Sequence, residues 1–156
     1  MDMEAFAQRV EALRPKLYRT AFCYLRSEAA ALDAVDEAVY RGLKSLKKLR
    51  QPEFFDTWMT RILLNECSRE KKRRGRFLPL EEVKELSQEE FDDLPLQEAI
   101  EKLPKELKDI VILRFFSGYT QAETAAALEI PQGTVATRQR RALNLLKLEL
   151  GEEVTP

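Results

Sequence analysis

No histidine occurs among the 156 residues. That excludes imidazole bases, Ser-His-Asp triads and histidine-ligated metals. Two cysteines, Cys23 and Cys67, are too few for a four-ligand zinc site, and a disulfide framework is not expected in a chain of this size. A reducing, cytoplasmic setting fits this usage. Net charge is almost absent, since 26 Lys+Arg against 27 Asp+Glu leaves −1, so no overall charge argues for nucleic acid or membrane. There is no run of about 18 apolar residues, so no membrane insertion is expected. The acidic opening Met1-Asp2-Met3-Glu4 does not read as a secretory signal. Glycine is scarce, with five residues, and alternating strand-like runs are missing. What is present is 44% apolar residues at spacings of three and four. This predicts an all-α protein of one domain or two small ones.

The helices can be placed from their punctuation. Pro15 is expected to open a helix carrying Leu17, Ala21, Phe22 and Leu25. A long helix from about Glu28 to Lys48 has Leu32, Val35, Val39, Leu43 and Leu46 as its core stripe. Pro52 opens the next, with Phe55, Trp58, Met59, Ile62 and Leu63. From Gly75 to Pro95 the pattern breaks, which marks a linker between residues 1–74 and 96–150. Charge swings at the same place. Arg61–Arg76 holds seven Lys+Arg and two Asp+Glu, whereas Phe77–Glu106 holds three and ten. A swing that abrupt marks a functional boundary better than the global charge does. Beyond it, Leu96, Ala99, Ile100 and Leu103 form a short helix, and Pro104 starts another that ends before Gly118.

The C-terminal segment carries the sharpest local signal. Thr120 followed by Glu123 is a capping box. Ala125, Ala126 and Leu128 pack a short helix, Glu129-Ile130-Pro131 makes a turn, and a last helix runs from about Gln132 to Leu150. On a helical wheel Val135, Ala142 and Leu146 share one side with Leu145 beside them, while Thr137, Arg140, Arg141 and Asn144 fall on the other. A short capped helix, a tight turn and an arginine-rich helix form a helix-turn-helix. Its outer face offers the groups that read base edges and clamp phosphates in a major groove, although an ordinary solvated basic face would look similar.

In the first half, Asp33, Asp36, Glu37 and Tyr40 lie at i, i+3, i+4 and i+7 and share one helix face. That face is either a solvated acidic surface or a protein-docking patch. No cleft-type loop or phosphate cradle accompanies it, so catalysis is not expected. Downstream, Phe54, Phe55 and Trp58 precede Arg61, Asn65, Arg69, Lys71, Lys72, Arg73 and Arg74. Aromatics beside a cationic stripe suit melted or single-stranded nucleic acid. Phe55, Trp58 and Ile62 can equally be core. The adjacent cations Lys71–Arg74 repel one another without a partner, which favours phosphate contact.

These residues resemble a bacterial RNA polymerase sigma factor, most closely the small extracytoplasmic-function type that keeps only the second and fourth conserved regions. Leu32-Asp33-Ala34-Val35-Asp36-Glu37-Ala38-Val39 is similar to the family's Glu-Asp-Leu-Val-Gln-Glu-Val-Phe stretch. Phe55-Asp56-Thr57-Trp58-Met59-Thr60-Arg61-Ile62-Leu63-Leu64-Asn65 is similar to Phe-x-x-Trp-Leu-x-Arg-Ile-x-x-Asn, and Arg73-Arg74 matches the paired arginines that follow. Ile130-Pro131-Gln132-Gly133-Thr134-Val135-Ala136-Thr137-Arg138 resembles Ile-Pro-x-Gly-Thr-Val-Lys-Ser-Arg, with Ala136 in place of Lys.

The resemblance implies a non-enzymatic transcription initiation factor whose partners are core RNA polymerase, promoter DNA and an anti-sigma factor. It implies no cofactor, metal or small-molecule substrate. Asp33, Val35, Asp36, Glu37 and Tyr40 would dock on the polymerase clamp helices. Phe55, Trp58, Arg61, Asn65, Arg69, Lys72, Arg73 and Arg74, with the loop at about Leu49–Phe55, would read and hold the melted −10 element. Gln132, Thr134, Thr137, Arg138, Arg140 and Arg141 would read the −35 element. The acidic linker would run through the polymerase cleft. Two other readings stay open on the residues alone. One is a dimeric helix-turn-helix regulator acting on palindromic operators without sigma activity. The other is a helical adaptor that contacts only protein.

Overall fold

A computed structural model describes residues 1–74 and 94–151 of the chain, which divides into two compact units. Every regular element among the described residues is helical, as expected. The expected linker lies outside the described residues except for Leu94 and Pro95, which open a helix.

The first unit is three mutually packed helices, α1 (Met3–Leu25), α2 (Glu28–Lys44) and α3 (Phe55–Arg74). Asp2 caps α1, its Oδ1 accepting from the Ala5 N–H at 2.8 Å. Pro15 therefore does not open this helix but lies inside it. An interior proline orphans the carbonyl four residues back. Here that is Glu11, and both residues are exposed, so water can satisfy it. Burial of Val10, Leu13 and Leu17 along the opposite side carries the helix past the break. Arg26, in the left-handed conformation at φ 54°, ends α1, and Ser27 caps α2 by accepting from the Ala30 N–H at 3.2 Å.

α2 stops at Lys44, short of the expected Lys48, and Leu46–Lys48 tightens into a 3-10 turn. Its buried face also differs from the expected stripe. Ala31, Ala34, Val35, Ala38 and Gly42 face inward, while Leu32 is 50% exposed and Val39, Leu43 and Leu46 are only partly covered. Small residues let the helix axes approach. At Gly42 a Cβ would stand 2.9 Å from Met59 Sδ and 3.1 Å from its Cε. α3 answers with Phe55, Met59, Leu63 and Cys67, all buried and four residues apart. Pro52 begins a 3-10 turn, Pro52–Phe54, that leads into α3.

The second unit contains α4 (Leu94–Lys102), α5 (Lys105–Val111), α6 (Gln121–Leu128) and α7 (Gln132–Glu149). Ala99, Ile100, Leu103, Leu107 and Val111 pack on Ala142 and Leu146, and Ile110, Ala125 and Val135 form a second cluster. α5 widens into a π-helical segment, Ile112–Phe116, where Ser117 N–H reaches the Ile112 carbonyl and Tyr119 N–H the Leu113 carbonyl, each at 2.9 Å. Gly118 turns the chain at φ 79°, a conformation that side chains with a Cβ disfavour. No helix among the described residues is long and apolar enough to cross a membrane.

Candidate nucleic-acid and protein interfaces

The acidic face of α2 is where its seam of small residues requires it to be. With Ala31, Ala34, Ala38 and Gly42 turned inward, Asp33, Asp36, Glu37 and Tyr40 are exposed, and so is Leu32. Val35 does not belong with them. It is 1% exposed and sits in the core, because it lies one residue from Ala34 on the inward side. It supports this face and cannot touch a partner.

The basic end of α3 is not a set of mutually repelling cations. Glu66 and Glu70 lie within it and pull the arginines in. Arg69 Nη1 meets Glu66 Oε1 at 2.5 Å, and Arg41 Nε from α2 meets the same oxygen at 2.6 Å while also lying 3.2 Å from Glu37. Arg73 Nη2 and Arg74 Nε meet Glu70 Oε1 at 2.6 and 2.5 Å. Arg74 Nη2 crosses to Asp33 Oδ2 at 3.1 Å. The expectation that Lys71–Arg74 lacks internal partners therefore fails for Arg73 and Arg74. Burial pushes the Glu70 carboxyl up, but hydrogen bonds from Arg74 and Arg73, together with their charges, outweigh it and hold the group below the usual glutamate range.

Among the expected DNA contacts of this helix, Asn65, Arg69, Lys72 and Arg73 are exposed and Trp58, Arg61 and Arg74 are half-buried. Lys72 has no ion pair among the described residues. Phe55 is 0% exposed, its ring edge-on to Phe6 at 5.7 Å and tilted against Trp58 at 5.8 Å. It anchors the start of α3 and is not placed to meet DNA. The structure also joins two sets of residues that the sequence kept apart. One cleft of about 480 Å³ is lined by Tyr40, Lys44 and Lys48 together with Ile62, Asn65 and Arg69. A neighbouring one of about 520 Å³ is lined by Asp33, Asp36 and Glu37 with Arg69 and Arg73.

In the second unit the helix-turn-helix forms as its chemistry dictates. Thr120 Oγ1 accepts from the Glu123 N–H at 3.0 Å and Glu123 Oε1 accepts from the Thr120 N–H at 2.9 Å, which closes the capping box. Glu129, at φ 57°, ends α6, and Ile130 N–H bonds to the Ala125 carbonyl at 3.1 Å. α7 then buries Val135, Ala142 and Leu146, but Leu145 is turned out and 39% exposed. Gln132, Thr137, Arg140 and Arg141 are exposed, and Thr134 and Arg138 half-exposed. None of the three arginines has an ion pair among the described residues.

A clamp unseen in the sequence fixes the motif. Arg114 Nε donates to Gln139 Oε1 at 2.9 Å and its Nη1 to the Tyr119 carbonyl at 2.5 Å, while Gln121 Nε2 also reaches Gln139 at 3.3 Å. The π-helical segment, the start of α6 and the middle of α7 are thereby tied through one guanidinium.

The model for sigma-70 region 2 matches residues 9–77 and that for sigma-70 region 4 residues 93–146. The chain is 34% identical to the RNA polymerase sigma factor SigV of Bacillus subtilis (strain 168), over 87% of this chain and 85% of the relative. It is 30% identical to the ECF RNA polymerase sigma-E factor of Escherichia coli (strain K12), over 90% and 84%. The chain belongs to the extracytoplasmic-function RNA polymerase sigma factors. It is a transcription initiation factor that directs polymerase to promoters.

Solved structures share the sigma fold. The sigma factor RpoE in complex with the anti-sigma factor NepR from Bartonella quintana has a TM-score of 0.74 at 21% identity, covering 97% of this chain and all of that one. CnrH in complex with the cytosolic domain of CnrY has a TM-score of 0.73 at 24% identity, covering 96% and 90%. In this sigma factor the region 2 match covers the three-helix unit from Arg9 onward, and the region 4 match spans α4 to most of α7. Sequence reasoning did not reach Arg41, Glu66, Glu70, Arg114 or Gln139. Glu66-x-x-Arg69 and Glu70-x-x-Arg73 were visible as helical pairs, but the cross-helix partners were not.

Proposed function

We propose that residues 1–74 act as the polymerase-docking and −10-binding domain, that 75–95 serve as linker, and that 96–150 act as the −35-binding domain. Asp33, Asp36, Glu37 and Tyr40 dock on a basic or amphipathic surface of the polymerase. Trp58, Arg61, Asn65, Arg69 and Lys72 face the melted −10 strand, with Arg73 and Arg74 contributing once their carboxylates are otherwise engaged. Gln132, Thr134, Thr137, Arg138, Arg140 and Arg141 face the −35 duplex. The observation that carries this reading is the placement of two unlike surfaces. One is an exposed acidic face on α2. The other is an exposed arginine face on a capped helix-turn-helix, with no ion pairs of its own among the described residues.

The protein works without catalysis. Unpairing a base costs a few kcal/mol, which binding of the extruded strand offsets, and polymerase supplies the avidity that each weak DNA contact lacks. The site of action is the cytoplasm. An anti-sigma protein is the expected inhibitor, a proposal supported by the solved sigma factor RpoE of this fold, which is in complex with the anti-sigma factor NepR.

The test is reconstitution. The full chain is mixed with core polymerase from its own host and a pool of promoter fragments, and transcript starts are sequenced. Starts downstream of one bipartite, non-palindromic motif are expected. Asp33→Lys combined with Glu37→Lys should abolish co-elution with core while leaving the circular dichroism spectrum unchanged. Asp33 is largely and Glu37 about half exposed, and the surface pairs Asp33–Arg74 and Glu37–Arg41 are each worth about 0–1 kcal/mol. A folded double variant that still binds core would overturn the docking assignment.

A further inference from the structure

A polar residue stands in the apolar seam of α7. Val135, Ala142 and Leu146 are buried along one side of this helix, and Gln139, half-buried one turn after Val135, lies on the same side. It falls between two apolar clusters. Val135 packs with Ile110 and Ala125, whereas Ala142 and Leu146 pack on residues of α4 and α5. A polar group in such a place costs stability unless its hydrogen bonds are met. They are met from two other elements. Gln139 Oε1 accepts from Arg114 Nε at 2.9 Å and from Gln121 Nε2 at 3.3 Å. Arg114 Nη1 in turn donates to the carbonyl of Tyr119, a residue that is itself buried.

Arg114 sits in the middle of the π-helical segment Ile112–Phe116, where the wider turn sets side chains at a different angle from that of an α-helix. Its charge meets no carboxylate among the described residues, so its hydrogen bonds go to neutral oxygens. Such bonds supply alignment. Apolar contacts are non-directional, and Ala142 at the centre of the seam has little side chain to interlock. Hydrogen bonds are directional, and a polar residue in an apolar seam is a known means of fixing register between packed helices. Register matters here, because a slip of one residue turns a helix by about 100° and shifts it by about 1.5 Å. That would re-aim Thr137, Arg140 and Arg141, all exposed on the outer side of α7.

We propose that Arg114 and Gln139 are positioning residues for −35 readout: they pin the rotation of α7 against α6 and the π-helical segment, and so decide which base edges Thr137, Arg140 and Arg141 meet. Neither residue touches a base. The proposal rests on reading α7 as the helix that enters the −35 groove.

The test uses holoenzyme assembled from the full chain and core polymerase. Its affinity is measured for a promoter duplex carrying the mapped −35 element and for duplexes with one −35 base pair changed. Wild type should discriminate by roughly tenfold or more at a contacted position. Arg114→Met combined with Gln139→Leu replaces the polar pair by apolar side chains of similar size. The melting temperature of this double variant should stay at or above that of wild type, while discrimination falls severalfold. Gln139→Glu keeps an acceptor for Arg114 and should keep the ratio while lowering affinity for all duplexes alike. Arg114→Lys loses the planar fork that serves two acceptors at once and should lose the ratio. A double variant of normal stability with wild-type discrimination would overturn the proposal. Should the double variant melt markedly lower, Arg114→Lys decides: a retained ratio overturns the proposal and a lost ratio at normal stability supports it. An equal loss on every duplex, with a salt slope shallower by about one, would make Arg114 a phosphate contact and overturn its positioning role. Wild-type holoenzyme that initiates correctly yet ignores every −35 change would overturn the underlying reading of α7, and the proposal with it.

Discussion

In the first unit Arg41, Arg69, Arg73 and Arg74 each meet a carboxylate at 2.5–3.2 Å. In the second unit Arg138, Arg140 and Arg141 meet none among the described residues. The cations of α7 are therefore available to phosphates and bases as they stand. Arg69, Arg73 and Arg74 of α3 are already paired, and Arg74 is held in part by Asp33 of the face proposed to dock on polymerase. A phosphate approaching Arg74 must compete with Glu70 and Asp33. Exposed pairs of this kind are weak, so the competition is winnable, but it lowers what each arginine adds to DNA affinity.

The largest effect that would break this contrast comes from the core beneath α3. Phe55→Ala should cost about 3–5 kcal/mol, because it removes a fully buried ring. A denaturant titration would show the loss. Were Phe55 a DNA contact, promoter affinity would fall in a protein of unchanged stability, which is the opposite result.

The next effect sharpens the contrast directly. Arg140→Ala or Arg141→Ala should weaken binding to a −35 duplex by about 1–3 kcal/mol each where the side chain meets a base. Arg74→Ala should weaken binding to a −10 fork by less than about 1 kcal/mol, since it trades away an internal pair as well as an external one. Titrations of holoenzyme with the two probes under one salt condition check this. An Arg74 effect as large as that of Arg141 would mean that its internal pairs do not persist once DNA is bound.

What the sequence disclosed follows the range of the forces involved. The capping box of α6 and the two-faced wheel of α7 were legible because their partners lie within a few residues. The left-handed turn at Glu129 fell where Glu-Ile-Pro announced it. The stripe of α2 was misplaced because large apolar residues were counted as core. This helix lies against both α1 and α3 and buries its small residues, which leaves Leu32 outside. Pro15 was read as a helix start because a local breaker signal is strong, yet packing of Leu13 and Leu17 carries α1 through it. Arg74 meets Asp33 across 41 positions and Arg114 meets Gln139 across 25, distances over which periodicity carries no information.

The smallest expected effect tests whether the α3 network is part of the fold or an incidental surface arrangement. Glu70 is nearly buried, at 12% side-chain exposure, and accepts from both Arg73 and Arg74. Its carboxyl titrates below the usual range in the folded protein. A depressed folded pKa means that the unfolded chain takes up the proton first as pH falls. The contribution of Glu70 is therefore complete above the unfolded glutamate value of about 4.3 and is lost as pH drops through the lower, folded value. Glu70→Gln keeps the shape and removes the charge. Urea midpoints of the variant should lie slightly below wild type at neutral pH and converge with it in acid. A constant difference across that range would mean that packing of the side chain, and not its charge, is what the arginines hold. In that case Arg73 would be as open to phosphate as the arginines of α7, and the contrast between the two units would rest on Arg41, Arg69 and the Arg74–Asp33 pair.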